Sequence, residues 1–347
     1  MSGPKLTESG NLEEFLKRAS AEIERATLEV LPSKEPFKEL YSLQKDYPLR
    51  GGKRFRPALL LLCAEWFGAS YEDALPSAVA LELFHNFALI HDDIEDSSLF
   101  RRGKPTLHQL HGIPLAINAG DSLFGMVYEI LMTNRERFGD QKALDIISLF
   151  NQVFRATFEG QAYDIGWVAN NHFPTREEYF EMIRRKTGIY SGKGPCQLGA
   201  LIADAPSDIF EKVGDFGEAL GIGFQIRDDL LNLEEDAGES KEYGKERGGD
   251  IREGKRTLIT IHMLENLNSK DAEKLKTILL KPAEETLNDD VEWAIGKAEE
   301  LDSLSSTKKE CEYWVNLAIE KLKFYRNSST VNILRELINY LVSYRKY

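Results

Sequence analysis

The chain has 347 residues, of which 42% are hydrophobic and 10% aromatic, so it is long enough to bury a substantial core. It carries 57 acidic against 44 basic side chains, a formal charge of -13, which argues against nucleic acid as a partner. The three cysteines, Cys63, Cys196 and Cys311, lie far apart without a CxxC pair, which favours a reducing compartment and argues against cysteine-bound zinc.

The N-terminal residues 1–19 contain no apolar core of the kind that a secretory signal needs. The apolar run RPALLLLCAEWFGA at 56–69 is too short to span a bilayer. We therefore expect a cytoplasmic protein without stable insertion into a membrane.

Helical periodicity runs through most of the chain, with apolar residues at three- and four-residue spacing in 11–31, 76–93 and 331–347. No alternating stretch makes a convincing strand, and no Asn-Gly or Asp-Gly hairpin turn is present. No segment resembles a long flexible linker. The sequence predicts an all-α fold in a single domain over residues 1–347.

The first chemistry-bearing stretch is RGGKRFRP at 50–57, where basic residues surround two glycines. Glycine lets the backbone approach an anion closely, and Arg and Lys grip phosphate oxygens. The alternative for any one of these side chains is a solvated charge. The basic residues are Arg50, Lys53, Arg54 and Arg56.

An acidic motif, DDIED, follows at 92–96. On a helix Asp92 and Asp96 share one face, while Asp93 points roughly 100° aside. Such oxygen ligands suit Mg²⁺, which bridges carboxylates to substrate phosphates. A solvated acidic helix end is the alternative for one such motif. The stretch RRGKPT then adds Arg101 and Arg102.

A second acidic motif, in FQIRDDLLN, places Asp228 and Asp229 at the end of another apolar helix, with Asn232 in the i+4 position. Two Asp pairs that face one another across a cavity would hold a cluster of Mg²⁺ ions, and two such motifs are rarely incidental surface charge. Further basic or polar candidates are Lys186, Thr187, Lys245, Lys255 and Arg256. Basic groups opposite Asp–Mg²⁺ suit two diphosphates, one bound through metal and one through side chains alone.

The motifs GGKRFRP, DDIED, RRGKPT, GQAYD, KTG, FQIRDD and GKERGGDIREGK occur in this order from about residue 50 to 260. Together they resemble those of the trans-prenyltransferases, the all-E isoprenyl diphosphate synthases. The resemblance implies the isoprenoid synthase fold, about a dozen helices around a deep central cavity, and a homodimer. It also implies that isopentenyl diphosphate is joined head to tail to an allylic diphosphate, with Mg²⁺ as cofactor and three ions per active site.

The resemblance assigns roles residue by residue. Metal binding falls to Asp92, Asp96 and Asp228. The wider catalytic set is Asp92, Asp93, Asp96, Arg101, Lys186, Gln225, Asp228, Asp229 and Lys245. The family positions that hold the allylic substrate correspond here to Arg101, Lys186, Thr187, Gln225, Lys245 and Lys255. Gln161 is expected to face the reacting centre. The family positions that bind isopentenyl diphosphate correspond here to Gly52, Lys53, Arg56, His85 and Arg102.

Three of these positions have a second interpretation. His85 lies two turns before Asp92 on the same face, but a histidine within LELFHNF is commonly a satisfied core residue. Gln161, without the resemblance, is a polar helix position. Asn232 stands where many relatives have a third Asp, and an amide oxygen is a weaker, neutral ligand, which argues against direct metal contact there.

Two other protein classes compete with a prenyl diphosphate synthase. A class I terpene cyclase shares the DDxxD motif and the helical fold, but GGKRFRP and FQIRDD argue against it. A non-catalytic prenyltransferase subunit would have degraded aspartate motifs, and here both Asp pairs are intact.

Product length depends on the helix before Asp92. Leu81, Phe84, Phe87 and Ala88 are the candidate chain-length residues, with Phe84 about 12 Å of helical rise from Asp92. The alternative is that both phenylalanines only pack against neighbouring helices. In either case, bulk here argues against products of C30 and longer. The phenylalanines favour a C15 product, whereas Ala88, KTG and FQIRDDLLNL resemble geranylgeranyl diphosphate synthases, so we expect C20, with farnesyl diphosphate as the alternative.

Overall fold

The computed structural model describes residues 6–9, 11–233, 247–325 and 328–343. These residues are predominantly helical, and the all-α prediction is confirmed. The α-helices are α1 (Leu12–Val30), α2 (Ser42–Leu49), α3 (Phe55–Trp66), α4 (Tyr71–Glu95), α5 (Leu107–His111), α6 (Ile113–Met132), α7 (Asn134–Ala169), α8 (Arg176–Ile183), α9 (Gly194–Ile202), α10 (Ser207–Leu231), α11 (Gly249–Arg252), α12 (Leu258–Asn266), α13 (Ser269–Leu279), α14 (Asn288–Glu300), α15 (Ser303–Leu322) and α16 (Ser329–Ser343). Short π-helices occupy Phe37–Tyr41 and Arg184–Lys193, and 3₁₀ turns occupy Leu6–Ser9 and Ala283–Glu285.

Capping side chains set where several helices begin. Ser70 before α4 and Thr175 before α8 each form a capping box with the third helical residue. Asn11 accepts a hydrogen bond of 2.9 Å from the backbone N–H of Glu14 at the start of α1. These contacts satisfy amide groups that have no partner within their helix.

A small hairpin follows α4, so the expectation of no strand was wrong at this point. β1 (Phe100–Arg101) pairs with β2 (Lys104–Pro105) in antiparallel register. The turn residues Arg102 and Gly103 both have positive φ, 53° and 71°, as in the type I′ turn that suits hairpins. Strands of two residues are too short to show an alternating pattern. The hairpin places Arg101 and Arg102 beside α4.

Two buried apolar clusters hold the helices together. The larger is built mainly from α1, α3, α4, α6, α7 and α9, and the second from α8, α12, α13 and α14. The helix α10 contributes to both clusters and packs against α15 and the π-helix Arg184–Lys193. Both acidic motifs therefore stand at the ends of helices that the core holds in place. In the described part of the chain, no helix is long and apolar enough to cross a membrane.

Candidate active site

A cavity of about 980 Å³ is lined by residues from α4, α7, α10 and the C-terminal helix α16. Its wall brings together most of the residues that the sequence singled out: Gly52, Lys53, Arg56, His85, Phe87, Ala88, Asp92, Asp96, Arg101, Arg102, Gln161, Lys186, Thr187, Gln225, Asp228, Asp229 and Lys255. Asp93, Phe84 and Leu81 are buried and not part of this wall. Lys245 lies outside the described residues.

The first acidic motif faces the cavity from the C-terminal end of α4. The Oδ1 atom of Asp92 lies 3.8 Å from Lys186 Nζ, and the Oδ1 atom of Asp96 lies 2.6 Å from Lys255 Nζ. Gln161 Nε2 donates a hydrogen bond of 3.3 Å to Asp92 Oδ1. Ammonium groups from two distant parts of the chain therefore offset the repulsion between crowded carboxylates.

Asp93 points away from the cavity, as expected for a residue beside the cavity-facing Asp92. It is 0% exposed, and its carboxylate accepts hydrogen bonds from the Tyr47 hydroxyl at 2.5 Å and from Arg101 Nε at 2.9 Å. Arg101 itself lines the cavity. Asp93 thus holds Arg101 from behind, and it is Arg101 that is placed to meet a ligand.

The second acidic motif lies at the C-terminal end of α10. Asp229 accepts hydrogen bonds from the Tyr179 hydroxyl at 2.6 Å and from Gln225 Nε2 at 2.9 Å. Burial, together with the negative charges of Asp250 and Asp228, raises the pKa of Asp229 to about 8. A carboxyl in such surroundings loses its proton more readily when a cation is near, so this wall suits a bound cation.

Asn232 is placed to support the backbone. It is 1% exposed, and its Oδ1 atom accepts a hydrogen bond of 3.1 Å from the backbone N–H of Asp250. Its carbonyl oxygen accepts a second one of 2.8 Å from Gly248 N–H. The amide therefore fixes the start of α11, and Asn232 is not part of the cavity wall.

Asp164 is a buried acid that no sequence interpretation had assigned to the site. Its Oδ2 atom lies 2.6 Å from Lys186 Nζ and 3.6 Å from Lys255 Nζ. Burial acts to raise the pKa of Asp164, but the two ammonium groups outweigh it and hold this pKa well below its usual range. The signal available was its place three residues after Gln161, on the same helix face. Asp164 keeps both predicted substrate lysines charged and oriented.

A π-helix, Arg184–Lys193, carries Lys186 and Thr187 to the cavity. Thr187 Oγ1 donates a hydrogen bond of 2.7 Å to Gln225 Oε1, which ties the π-helix to α10. Gly160 of α7 lies so close that a Cβ atom there would collide with the Lys186 backbone. π-Helical segments often occur at functional sites, and this one fits only because residue 160 of α7 is a glycine.

A basic loop forms another part of the wall. Gly52 has φ of 140° and Arg54 has φ of 46°, conformations that L side chains rarely adopt. A Cβ atom on Gly52 would lie 2.9 Å from Arg102 Nη2, so glycine permits this close approach. Arg102 Nη1 donates a hydrogen bond of 3.0 Å to the carbonyl oxygen of Tyr47, which fixes the guanidinium group.

His85 and Arg56 form a connected pair beside this loop. The Arg56 Nη1 atom lies 3.4 Å from His85 Nε2, and Arg56 Nε donates a hydrogen bond of 2.9 Å to Ser191 Oγ. On its other side, His85 Nδ1 lies 2.9 Å from the Tyr190 hydroxyl. Burial, and then the charge of Arg56, lowers the pKa of His85 well below its usual value. The imidazole is therefore neutral at pH 7 and lines the cavity.

The C-terminal helix α16 completes the wall near Lys53. The Lys53 Nζ atom lies 4.6 Å from the centre of the Tyr340 ring and also contacts the Tyr340 hydroxyl. Leu337 lines the cavity as well. The C-terminal run shows only helical periodicity, so the sequence contains no signal for this contact.

The part of the cavity below the first acidic motif is aromatic. Ala88 and Phe87 line it, four and five residues before Asp92. Phe84 is 0% exposed and stacks on Phe154 with ring centroids 4.0 Å apart. Two of the four candidate chain-length residues thus line the wall, while Phe84 and Leu81 are buried away from it.

The acidic donors fit Mg²⁺ held together with a substrate. Among the residues that the structure describes, no three His, Cys, Asp or Glu side chains converge to hold a metal ion alone. Mg²⁺ keeps several waters and binds through one or two carboxylates plus substrate phosphates. Asp92, Asp96 and Asp228 line one cavity wall and offer the carboxylate oxygens that such a site needs.

The chain is similar to known proteins over most of its length. A family model described as polyprenyl synthetase matches residues 38–297. Over 265 residues the chain is 38% identical to a short chain isoprenyl diphosphate synthase from Methanocaldococcus jannaschii, covering 74% of this chain and 78% of the relative. Over 333 residues it is 34% identical to a geranylgeranyl diphosphate synthase from Methanosarcina mazei, covering 96% and 97%. The crystal structure of geranylgeranyl pyrophosphate synthetase from Pyrococcus horikoshii matches with a TM-score of 0.83 and 33% identity, covering 95% and 98%.

Proposed function

Because this chain belongs to the polyprenyl synthetase family and is a prenyltransferase, we propose that it is a short-chain synthase whose main product is geranylgeranyl diphosphate. It condenses isopentenyl diphosphate head to tail with an allylic diphosphate. The observation that carries this proposal is a single cavity with two acidic motifs and a separate basic loop in its wall. The two regions provide two diphosphate sites of different chemistry.

The allylic diphosphate lies between Asp92, Asp96 and Asp228. Asp92, Asp96 and Asp228 would hold Mg²⁺, which we propose binds as three ions per site and which, when bound, would neutralise the diphosphate and make it a better leaving group. Lys186 and Lys255 exchange their carboxylate partners for diphosphate oxygens and stabilise the charge that develops on departure. The remaining proposed ligands of this substrate are Arg101, Thr187, Gln225 and Lys245, with Gln161 beside the reacting carbon.

Isopentenyl diphosphate binds at the basic loop, without metal. Lys53, Arg56 and Arg102 supply the positive charge, neutral His85 orients Arg56 through its Nε2 atom, and Gly52 lets the backbone approach the phosphate. The double bond attacks the allylic cation, a new carbon–carbon bond forms, and the proton lost in the last step goes to the released diphosphate. The apolar wall below the acidic motif excludes water that would quench the cation.

The product assignment rests on the named relatives and on Ala88, which leaves room for chain growth above Phe87. Chromatography of dephosphorylated products tests it, after incubation with Mg²⁺, isopentenyl diphosphate and farnesyl diphosphate. Geranylgeraniol as the main alcohol supports the proposal. No extension of farnesyl diphosphate would make this enzyme a farnesyl diphosphate synthase instead.

We also propose a homodimer. Apolar side chains are exposed on α6 and α7, among them Ile113, Ile117 and Leu144. Water contact with such side chains is unfavourable, and a second copy of the chain would remove it. Light scattering after size exclusion tests this, with a molar mass near twice 39.4 kDa expected and a mass of one chain contradicting it.

A further inference from the structure

Phe158 of α7 lines the cavity, although no sequence pattern had assigned it a role. Its side chain is 43% exposed, which leaves apolar surface that an apolar ligand would cover. It precedes Gln161 by three residues, so it lies roughly one helical turn, about 5 Å, from the contact between Gln161 and Asp92. This places the Phe158 ring below the reacting end of the cavity.

Phe87 of α4 lines the same part of the cavity from a second helix. Its ring centroid lies 6.0 Å from that of Phe158, in an edge-to-face arrangement. Phe124 of α6 contacts both rings, at 6.0 Å from Phe158 and 5.1 Å from Phe87. Edge-to-face and tilted aromatic contacts at these distances are favourable, so the rings support each other.

A second aromatic layer lies behind this one. Phe84 and Phe154 stack with centroids 4.0 Å apart, and both are buried away from the cavity wall. Above the first layer, the wall is made of the smaller residues Ala88 and Thr157. A growing chain therefore has room beside the small residues and meets the first aromatic layer next.

We propose that Phe158 is a specificity-determining residue for product length, and that it forms with Phe87 the floor at which chain growth stops. This inference rests on the proposed function. The two rings of this floor are carried by separate helices, Phe87 by α4 and Phe158 by α7. A substitution that removes one ring therefore leaves the backbone that holds the other ring unchanged. Removing the Phe158 ring opens the floor on the α7 side and admits a longer chain.

The test compares Phe158→Ala with Phe154→Ala, the same substitution one turn away on the same helix. Each variant is incubated with Mg²⁺, isopentenyl diphosphate and farnesyl diphosphate, and the dephosphorylated products are separated by chain length. We expect Phe158→Ala to lengthen the main product by at least one isoprene unit. Phe154→Ala should lower the melting temperature and keep the wild-type length, and Phe158→Tyr should also keep it.

Two results would overturn the inference. An active Phe158→Ala enzyme with unchanged product length would overturn it, and an altered molar mass in solution would then show that the ring serves a subunit contact. Equal lengthening by Phe158→Ala and Phe154→Ala would show general loosening of the aromatic region. Phe158→Leu decides the matter in the same assay where the alanine variant does not fold. A wild-type chain that makes no prenyl diphosphate would instead refute the proposed function.

Discussion

At the acidic end of the cavity Asp96 and Asp164 are each held by a lysine, whereas at the opposite end Phe84 and Phe154 hold one another by stacking. A lysine can exchange its carboxylate partner for a diphosphate oxygen at small net cost when a cation takes the place of the lysine beside the carboxylate, because an unpaired buried charge is costly. A stacked ring cannot exchange its partner for a polar group of the substrate, since removing the neighbouring ring leaves a cavity that costs stability. The acidic end is therefore suited to chemistry that changes charge, and the aromatic end to measuring length.

The largest effect is expected from removing the carboxylates that define the acidic end. Asp92→Ala or Asp228→Ala should lower kcat by roughly 100- to 1,000-fold or more, because one electrostatic stabiliser of the transition state contributes that much. Steady-state product formation measures the loss, and circular dichroism checks that the helices persist. Near-normal turnover in either variant would remove these residues from the metal site.

Substitutions in the polar part of the cavity are expected to raise KM for one of the two substrates and not for the other. Lys186→Ala or Lys255→Ala should raise KM for the allylic diphosphate by about 10-fold or more, since one hydrogen bond to a charged group contributes about 1.5–3 kcal/mol. Lys53→Ala or Arg56→Ala should raise KM for isopentenyl diphosphate instead. Kinetics with each substrate varied in turn test this, and equal effects on both constants would contradict two separate sites.

Changes at the aromatic end should alter the product while turnover stays within a few-fold. Phe87→Ala should lengthen the product by at least one isoprene unit, because the ring lines the cavity. Phe84→Ala should keep the product length, as Phe154→Ala should, and cost about 3–5 kcal/mol of stability, since that ring is fully buried behind the cavity wall. Product chromatography and thermal unfolding measure the two effects. Unchanged product in Phe87→Ala and in the double variant would place the floor elsewhere.

The smallest effect on turnover is expected from Asn232→Ala, a matched control for Asp228→Ala on the same helix end. Loss of the acceptor for Asp250 N–H should lower the free energy of unfolding by about 1–3 kcal/mol. Turnover at a temperature where the variant is folded should remain close to the wild-type rate. A loss of kcat as large as that of Asp228→Ala would show that the amide acts on the substrate side.

The polar end could be read from the sequence because its residues sit in short motifs with fixed helical spacing. The four-residue spacing of Asp92 and Asp96 placed both in the cavity wall and left Asp93 behind it. Membership of the polyprenyl synthetase family confirms the resemblance that these motifs carried.

The residues that sequence did not indicate owe their position to contacts between distant segments. Asp164 meets lysines from other elements, and Tyr340 reaches Lys53 from the far end of the chain. Phe158 carries no charge and no motif, so only the packing of α7 against α4 and α6 brings it to the cavity. Helical periodicity gives the buried face of one helix but not which helix it meets.

The position of α16 late in the sequence affects the order in which the cavity wall forms during synthesis on the ribosome. Both acidic motifs and the basic loop are translated before α16, yet Tyr340, which lies beside Lys53, belongs to the last turns of that helix. The same helix ties back to the N-terminal region, where Glu336 Oε2 accepts a hydrogen bond of 2.8 Å from Leu12 N–H. A nascent chain thus carries its charged residues well before the wall beside Lys53 exists. The cavity wall beside Lys53 is therefore complete only after α16 has been synthesised and has folded back onto the earlier helices.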